Sequence, residues 1–379
     1  MLPFDSFEPA GSIRSNKIPP HRRGSYEQQK RIDMKTNTYH PQPLRCLLAA
    51  LLFLLLPGLR AAGQDEITTW DKIKEVKATS LANKDNGNGE SSNAPILIAN
   101  REELIYFAQQ VNRGGAIALR NGDRIEPDGK NKGGGFFGYY FALTSDIDLS
   151  DYYWKPIGKN VHPFNGHFDG RGHCVKGLMV KVEKTFSGEP ANGVYAGLFG
   201  NAIGASLRNL GVILADKGVK ATATNGHAYA GGIAGQANEI HNCYVVGAGE
   251  VEAVSTKDIN ISYVEPDSYS GGIVGYLPSS SSLTNSSLTN CYATVSVKAD
   301  GYTRAYAGGI AGLCWGTLSY TYATGSVEAT GKGEGRIYAG GICGYVQGRS
   351  STLSLNLALN RKVKGGGGRE QPDCREARG

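Results

Sequence analysis

Two carboxylates, Asp146 and Asp148, stand two residues apart in Leu143-Thr-Ser-Asp-Ile-Asp-Leu149. On an extended strand that spacing puts both on one face, where a pair of acids could cleave a glycosidic bond as proton donor and base or nucleophile. Asp151 and Asp169 can join them only if separate passes of the chain meet. The competing expectation is structural, with aspartates capping the turns at strand edges. His162, His167, His173 and His241 lack the spacing of a zinc site, so turn or surface positions are expected and no metal is. Cys174 directly follows His173, whereas a cysteine nucleophile needs its base beside it in space rather than in sequence. The Gly-x-Gly patterns are not followed by a helix, and Gly-Lys-Ser/Thr is missing, so neither a phosphate cradle nor a cofactor is expected. The Asn/Asp-rich stretch 84–88 falls short of a calcium loop. Trp315, Tyr276, Tyr302 and Tyr345 are the aromatics that could stack on sugar rings; Trp154 is expected in the core.

Charge narrows the partners further. Lys and Arg number 40 against 34 Asp and Glu, a net +6. Residues 1–63 hold nine of these bases and four acids, and residues 361–379 hold six and three, which leaves 25 bases and 27 acids in residues 64–360. A nearly neutral body with no basic run predicts no nucleic acid and no other anionic partner.

The elements that must position these side chains are set by a repeat. Tyr195-Ala-Gly-Leu-Phe-Gly200 returns from Tyr229, Tyr269, Tyr306 and Tyr338 as Tyr-Ala/Ser-Gly-Gly-Ile-x-Gly, at intervals of 34, 40, 37 and 32 residues. The recurring positions are Gly231, Gly232 and Ile233; Gly271, Gly272 and Ile273; Gly308, Gly309 and Ile310; and Gly340, Gly341 and Ile342. A second module follows each: Asn209-Leu-Gly-Val, Asn242-Cys-Tyr-Val, Asn290-Cys-Tyr-Ala, Tyr320-Thr-Tyr-Ala and a degenerate Leu355-Asn-Leu-Ala. A fixed motif with drifting intervals confines insertions to loops, as stacked repeats allow. Strand alternation would place Tyr, Gly and Ile on one face and Ala, Gly and Ala on the other. The glycines, 53 of 379 residues, suit sharp corners and close approach of the next coil. The expected fold is all-β, a right-handed parallel β-helix (β-solenoid); a kelch-type propeller is the rival, though its period is about 50 residues.

Cys343 takes the slot of Ala234, Val274 and Ala311, a small buried position. Cys243 and Cys291 share another slot. With one coil per repeat they would lie one rung apart, within disulfide range, and with two they could not bond. Free thiols are expected.

Asn100-Arg-Glu-Glu-Leu-Ile-Tyr-Phe-Ala-Gln-Gln-Val-Asn112 carries an N-cap Asn, Glu103 three residues on, and Leu104, Phe107, Ala108 and Val111 on one stripe. It is expected to be a short helix capping the first coil, because an open sheet end needs cover. Residues 1–63 read as a leader: ten apolar residues from Leu47 to Leu56, too few to span a bilayer, then a small-residue signal-peptidase site near Gly63-Gln64. Met34 would begin a leader of normal length. Residues 64–94 read as a flexible lead-in, 95–360 as the solenoid with repeats from 195, and 361–379 as an aberrant or truncated tail.

On Leu-Thr-x-Asp-Ile-Asp-Leu (143–149), Trp154-Lys-Pro-Ile-Gly158, Phe164-Asn-Gly-His-Phe-Asp-Gly170 and the Tyr-Ala-Gly-Gly-Ile-x-Gly repeats, the chain resembles the GLUG-motif surface proteins of Bacteroides-like bacteria. The resemblance covers residues 95–360. It implies an exported parallel β-helical protein at the cell surface, with a role in adhesion or in contact with an extracellular glycan or host matrix protein. Similar repeats form non-catalytic regions of streptococcal immunoglobulin-A-specific metallopeptidases, whose HExxH helix has no counterpart in this sequence. Three readings stay open: a non-enzymatic adhesin, a polysaccharide lyase or glycoside hydrolase, and the repeat region of a larger surface peptidase.

Overall fold

Strand pairing in the computed structural model runs from one repeat to the next. The structure describes residues 78–366 apart from 85–86, 129–133, 188–192, 259–264, 279–285, 333–334 and 349–350. The leader, the first part of the lead-in and the glycine-rich end of the tail lie outside the described residues. All described residues belong to one unit.

One sheet takes, in spatial order, Ile96–Ile98, Tyr140–Leu143, His167–Asp169, Phe199–Arg208, Ala234–His241, Val274–Leu277, Ala311–Cys314 and Cys343–Val346. A second holds Gly193–Ala196, His227–Gly231, Asp267–Gly271, Arg304–Gly308 and Ile337–Gly340. A third is built on Cys174–Thr185 and Gly211–Thr224 and continues through Val251–Thr256, Val297–Gly301, Val327–Gly331 and Val363–Gly365. Between named strands, only Ala82–Asn83 with Ile96–Ile98 and Ile117–Ala118 with Arg124–Ile125 pair antiparallel among the described residues. The fold is therefore nearly all β with parallel sheets. Tyr195 pairs in register with Tyr229, Tyr229 with Tyr269, Tyr269 with Tyr306, and Tyr306 with Tyr338. Each repeat adds one rung.

The interior is a set of columns. Ile233, Ile273 and Ile310 are fully buried, and each backbone N–H donates to the carbonyl one rung on, at 2.8–3.0 Å. Leu207, Ile240, Leu288 and Leu318 form another buried column in register. The expected alternation through the motif breaks at its center. The second-sheet strands end at the first glycine of each pair, and Gly232-Ile233 is a corner into the first sheet. Ile233 consequently joins Ala230 inside, while Tyr229 stays half-buried on the other side. A period of two cannot be carried across a bend.

Helix α1, Arg101–Arg113, forms where expected. Asn100 accepts the Glu103 N–H at 2.9 Å, Glu103 Oε2 accepts the Ala99 N–H at 2.7 Å, and Gly114 closes the helix in the left-handed region at φ 63°. Phe107 reaches the first rungs, with ring centroids 4.7 Å from Phe141 and 5.6 Å from Phe164. The described part of the lead-in differs from the expected loose tether: Leu81 is fully buried, and Ala82–Asn83 pairs onto Ile96–Ile98. Leu81 anchors it, with Ala78 packed against the same core.

The second modules turn through a left-handed residue at one place per rung: Asn209, Asn242 and Asn290 at φ 53°, then Tyr320 at 54° and Leu355 at 53°. The asparagines hydrogen-bond in file, Asn242 Nδ2 to Asn209 Oδ1 at 2.8 Å and Asn290 Nδ2 to Asn242 Oδ1 at 3.1 Å. Left-handed backbone costs an ordinary L-residue roughly 1–2 kcal/mol and an asparagine less. Tyr320 and Leu355 are 62% and 71% exposed, so little packing offsets that cost. The double substitution Tyr320→Asn, Leu355→Asn is expected to raise stability by about 1 kcal/mol or more in urea denaturation; a fall in the midpoint would contradict the strain.

Candidate binding surface

Asp146, Asp148 and Asp169 are each held by their own neighbors. Asp146 lies just outside the strand Ile147–Asp148, so the expected same-face pair on a strand is not formed. Its Oδ1 accepts the Cys174 N–H at 3.1 Å and its Oδ2 meets Lys176 Nζ at 2.8 Å. Burial would raise this carboxyl, but the Lys176 and Cys174 hydrogen bonds outweigh it and hold it below its ordinary value. Asp148 Oδ1 accepts the Ser150 N–H at 2.9 Å in a tight turn. Asp151 pairs with Arg101 at 3.2 Å. Asp169 heads the asparagine file: Oδ1 accepts Asn209 Nδ2 at 2.9 Å and the Arg171 N–H at 2.8 Å, and Oδ2 accepts Arg208 Nε at 3.1 Å.

The histidines are dispersed. His167 stacks on Tyr140 at 4.2 Å, and burial lowers its pKa. His173 lies 3.4 Å from Asp146, and His241 Nε2 is 2.8 Å from Glu239. The His162 ring lies against Gly114 at the end of α1. Cys174, Cys243, Cys291, Cys314 and Cys343 are buried, and no disulfide joins them among the described residues. Cys243 and Cys291 sit on adjacent rungs, with the Cys243 N–H 3.4 Å from Cys291 Sγ. Burial, then the neighboring thiol, pushes Cys243 up.

Tyr195, Tyr229, Tyr269, Tyr306 and Tyr338 stack as one column with centroids 4.8, 4.8, 5.1 and 5.6 Å apart. Two of the expected sugar-stacking residues are absorbed by it: Tyr276 lies 5.6 Å from Tyr269 and Tyr345 4.9 Å from Tyr338. Tyr302 is half-buried with Lys257 Nζ 5.8 Å from its ring, and half-buried Trp315 lies over Gly348. A second aromatic column was not singled out from the sequence. Tyr244, Tyr292 and Tyr322 stack at 5.2 and 4.8 Å in the second modules. Exposure rises along it from 9% at Tyr244 to 38% at Tyr322. Its signal was the tyrosine after Asn242-Cys and Asn290-Cys, which recurs as Tyr322.

Burial pushes the Tyr195 and Tyr306 hydroxyls up to about 12 and raises Tyr229 and Tyr269 as well. A phenol whose folded pKa exceeds its unfolded value of about 10 contributes stability that is complete below that pH and lost as pH climbs through the folded value. Phenolate absorbance of the folded chain is therefore expected to lag, with these tyrosines ionizing near about pH 12 or only on unfolding. A single midpoint near about 10 with circular dichroism unchanged would contradict the burial.

No family model matches the chain. Over 69 residues, 17% of this chain, it is 38% identical to a protein of Evansella cellulosilytica described as "Putative Gly-rich membrane protein", and the match spans 7% of that protein. A crystal structure of "a putative immunoglobulin A1 protease from Bacteroides ovatus" aligns over 73% of this chain and 69% of that one, at 23% identity and a TM-score of 0.43. Among the described residues no helix is long and apolar enough to cross a membrane.

Proposed function

We propose that the chain is a non-enzymatic, exported cell-surface protein of the GLUG-motif kind, folded as a right-handed parallel β-solenoid, that holds an extracellular glycan or host matrix protein along its flank. The observation that carries this reading is the one-rung-per-repeat register, which sets identical side chains in files such as Tyr195 to Tyr338 and Tyr244 to Tyr322. A surface that repeats at each rung offers many equivalent shallow contacts, which suits weak multivalent attachment better than turnover at one center. The carboxylates that would serve a glycosidase are engaged in turns, an ion pair and the head of the asparagine file.

An array of glycans and extracellular-matrix proteins probed with the full purified chain tests this. Retention on at least one class, with no shortened glycan released, is the expected result. Silence on both classes, or release of shortened chains from a polysaccharide, would overturn it.

A further inference from the structure

A cleft of about 780 Å³ opens where the end of α1, the 155–161 loop, Cys174–Thr185 and Gly193–Ala196 meet. Among the described residues, five cations line it, Arg113, Lys155, Lys159, Lys181 and Lys184, against one carboxylate, Glu183, and all six are exposed. The body as a whole has slightly more acids than bases, so this concentration of positive charge is local and runs against the average. It arises because the helix end, the loop and the strand bring together cations that lie up to 71 residues apart in sequence. The expectation of no anionic partner, drawn from linear charge, does not anticipate it.

Two further features shape the ligand. Tyr195 lines the cleft, and its strand ends the second sheet. Tyr229 stacks on one face of its ring, and among the described residues no further strand of this sheet lies beyond the other. Asn112 fixes the rim: its Nδ2 donates to the Pro156 carbonyl at 2.9 Å, and its Oδ1 accepts the Gly158 N–H at 2.8 Å. The volume falls within the range of small-ligand sites, roughly 300–1,000 Å³.

We infer that this cleft binds a segment of an anionic polysaccharide, with carboxylate or sulfate groups on the lysines and one sugar ring against Tyr195. The inference rests on the proposed glycan-binding role and names the ligand class and the site. Cations facing one concave wall reinforce one another's field more than the same charges scattered over a surface. Glu183, 3.3 Å from Lys181, is an acceptor for sugar hydroxyls. A single-stranded nucleic acid would need several ring faces for successive bases, and among the described residues the other aromatic of the lining, Phe186, is 6% exposed.

The test is affinity of the full chain for polygalacturonate, dextran sulfate, neutral dextran and a single-stranded oligothymidylate, at low and at physiological salt. Binding of at least one of the two anionic polysaccharides is expected, weakened by salt and by about tenfold in Lys159→Gln, Lys184→Gln. The distant pair Lys298→Gln, Lys364→Gln should leave it unchanged, and circular dichroism of both variants reports the fold. Equal affinity for neutral dextran or oligothymidylate, or an unaffected cleft variant, would overturn the proposal. If neither polyanion binds while the array retains a neutral glycan or matrix protein, the cleft assignment fails and the wider reading stands. If the array is silent too, both fail.

Discussion

Gly309→Ala is expected to destabilize the chain by about 3 kcal/mol or more, enough to unfold a marginal domain. A methyl group at this position would lie 2.1 Å from the carbonyl oxygen of Gly341 and 2.6 Å from Ala323 Cβ. The first of these is the backbone of the next rung, which hydrogen bonds hold in register and which cannot turn aside as a side chain would. Gly309 has no positive φ, so close approach alone decides the sign. Where nothing crowds the methyl, the same change commonly stabilizes by about 0.4–1 kcal/mol through the unfolded chain. Gly365, also without positive φ and with nothing nearer than 3.8 Å, is the control: Gly365→Ala should be close to neutral or slightly stabilizing. Urea midpoints of the two variants make the comparison, and similar midpoints would contradict rung-on-rung contact at the corner.

The second large effect belongs to Asp267, whose side chain is 0% exposed in the tyrosine sheet. Arg304, its partner one rung on, grips both oxygens, Nε to Oδ1 at 2.9 Å and Nη2 to Oδ2 at 2.8 Å, and the Tyr269 hydroxyl donates to Oδ2 at 2.9 Å. Removing one member of a buried pair costs about 3–5 kcal/mol because the other stays charged and dry. The two sides of this pair are unequal. Arg304→Met strands a carboxylate sealed from water and is expected to cost about 3 kcal/mol. Asp267→Ala strands a guanidinium that is 40% exposed and can turn to solvent, so about 2 kcal/mol is expected. The double variant should cost less than the sum of the singles, because the stranded charge is gone. Additive losses, or a larger loss for Asp267→Ala, would show that the ion pair is not what holds this rung.

Much of the stack was legible in the sequence because its constraint is local and repeated. A glycine pair after tyrosine, recurring at intervals that drift, marks a corner that cannot take a side chain. Asn100 and Glu103 marked the helix, and α1 starts there. The face assignment of Ile233 was not legible, since a period of two holds along a strand and ends where the strand bends. Nor was the employment of the carboxylates. Asp169 receives Asn209 and Arg208 across 40 and 39 residues, and no spacing rule reaches that far. The cationic cleft was hidden for the same reason: its lysines come from one loop and one strand, and Arg113 from the helix end. The exposed apolar residues Leu355, Leu357 and Leu359, at 71%, 53% and 57%, lie in the degenerate second module, the last such module among the described residues, where the motif itself faded.

The proposed function depends on one repeat making one rung. Lys181, Lys220, Glu252, Lys298, Glu328 and Lys364 stand in register on six successive strands of the third sheet. Spin labels placed by Lys181→Cys and Lys364→Cys, with Cys46 and Cys374 changed to Ser, measure that separation in solution. Five rungs at about 4.8 Å predict labels about 24 Å apart, within the reach of their tethers. A distance near about 48 Å, as two coils per repeat would give, or a broad distribution without a peak, would contradict the stack.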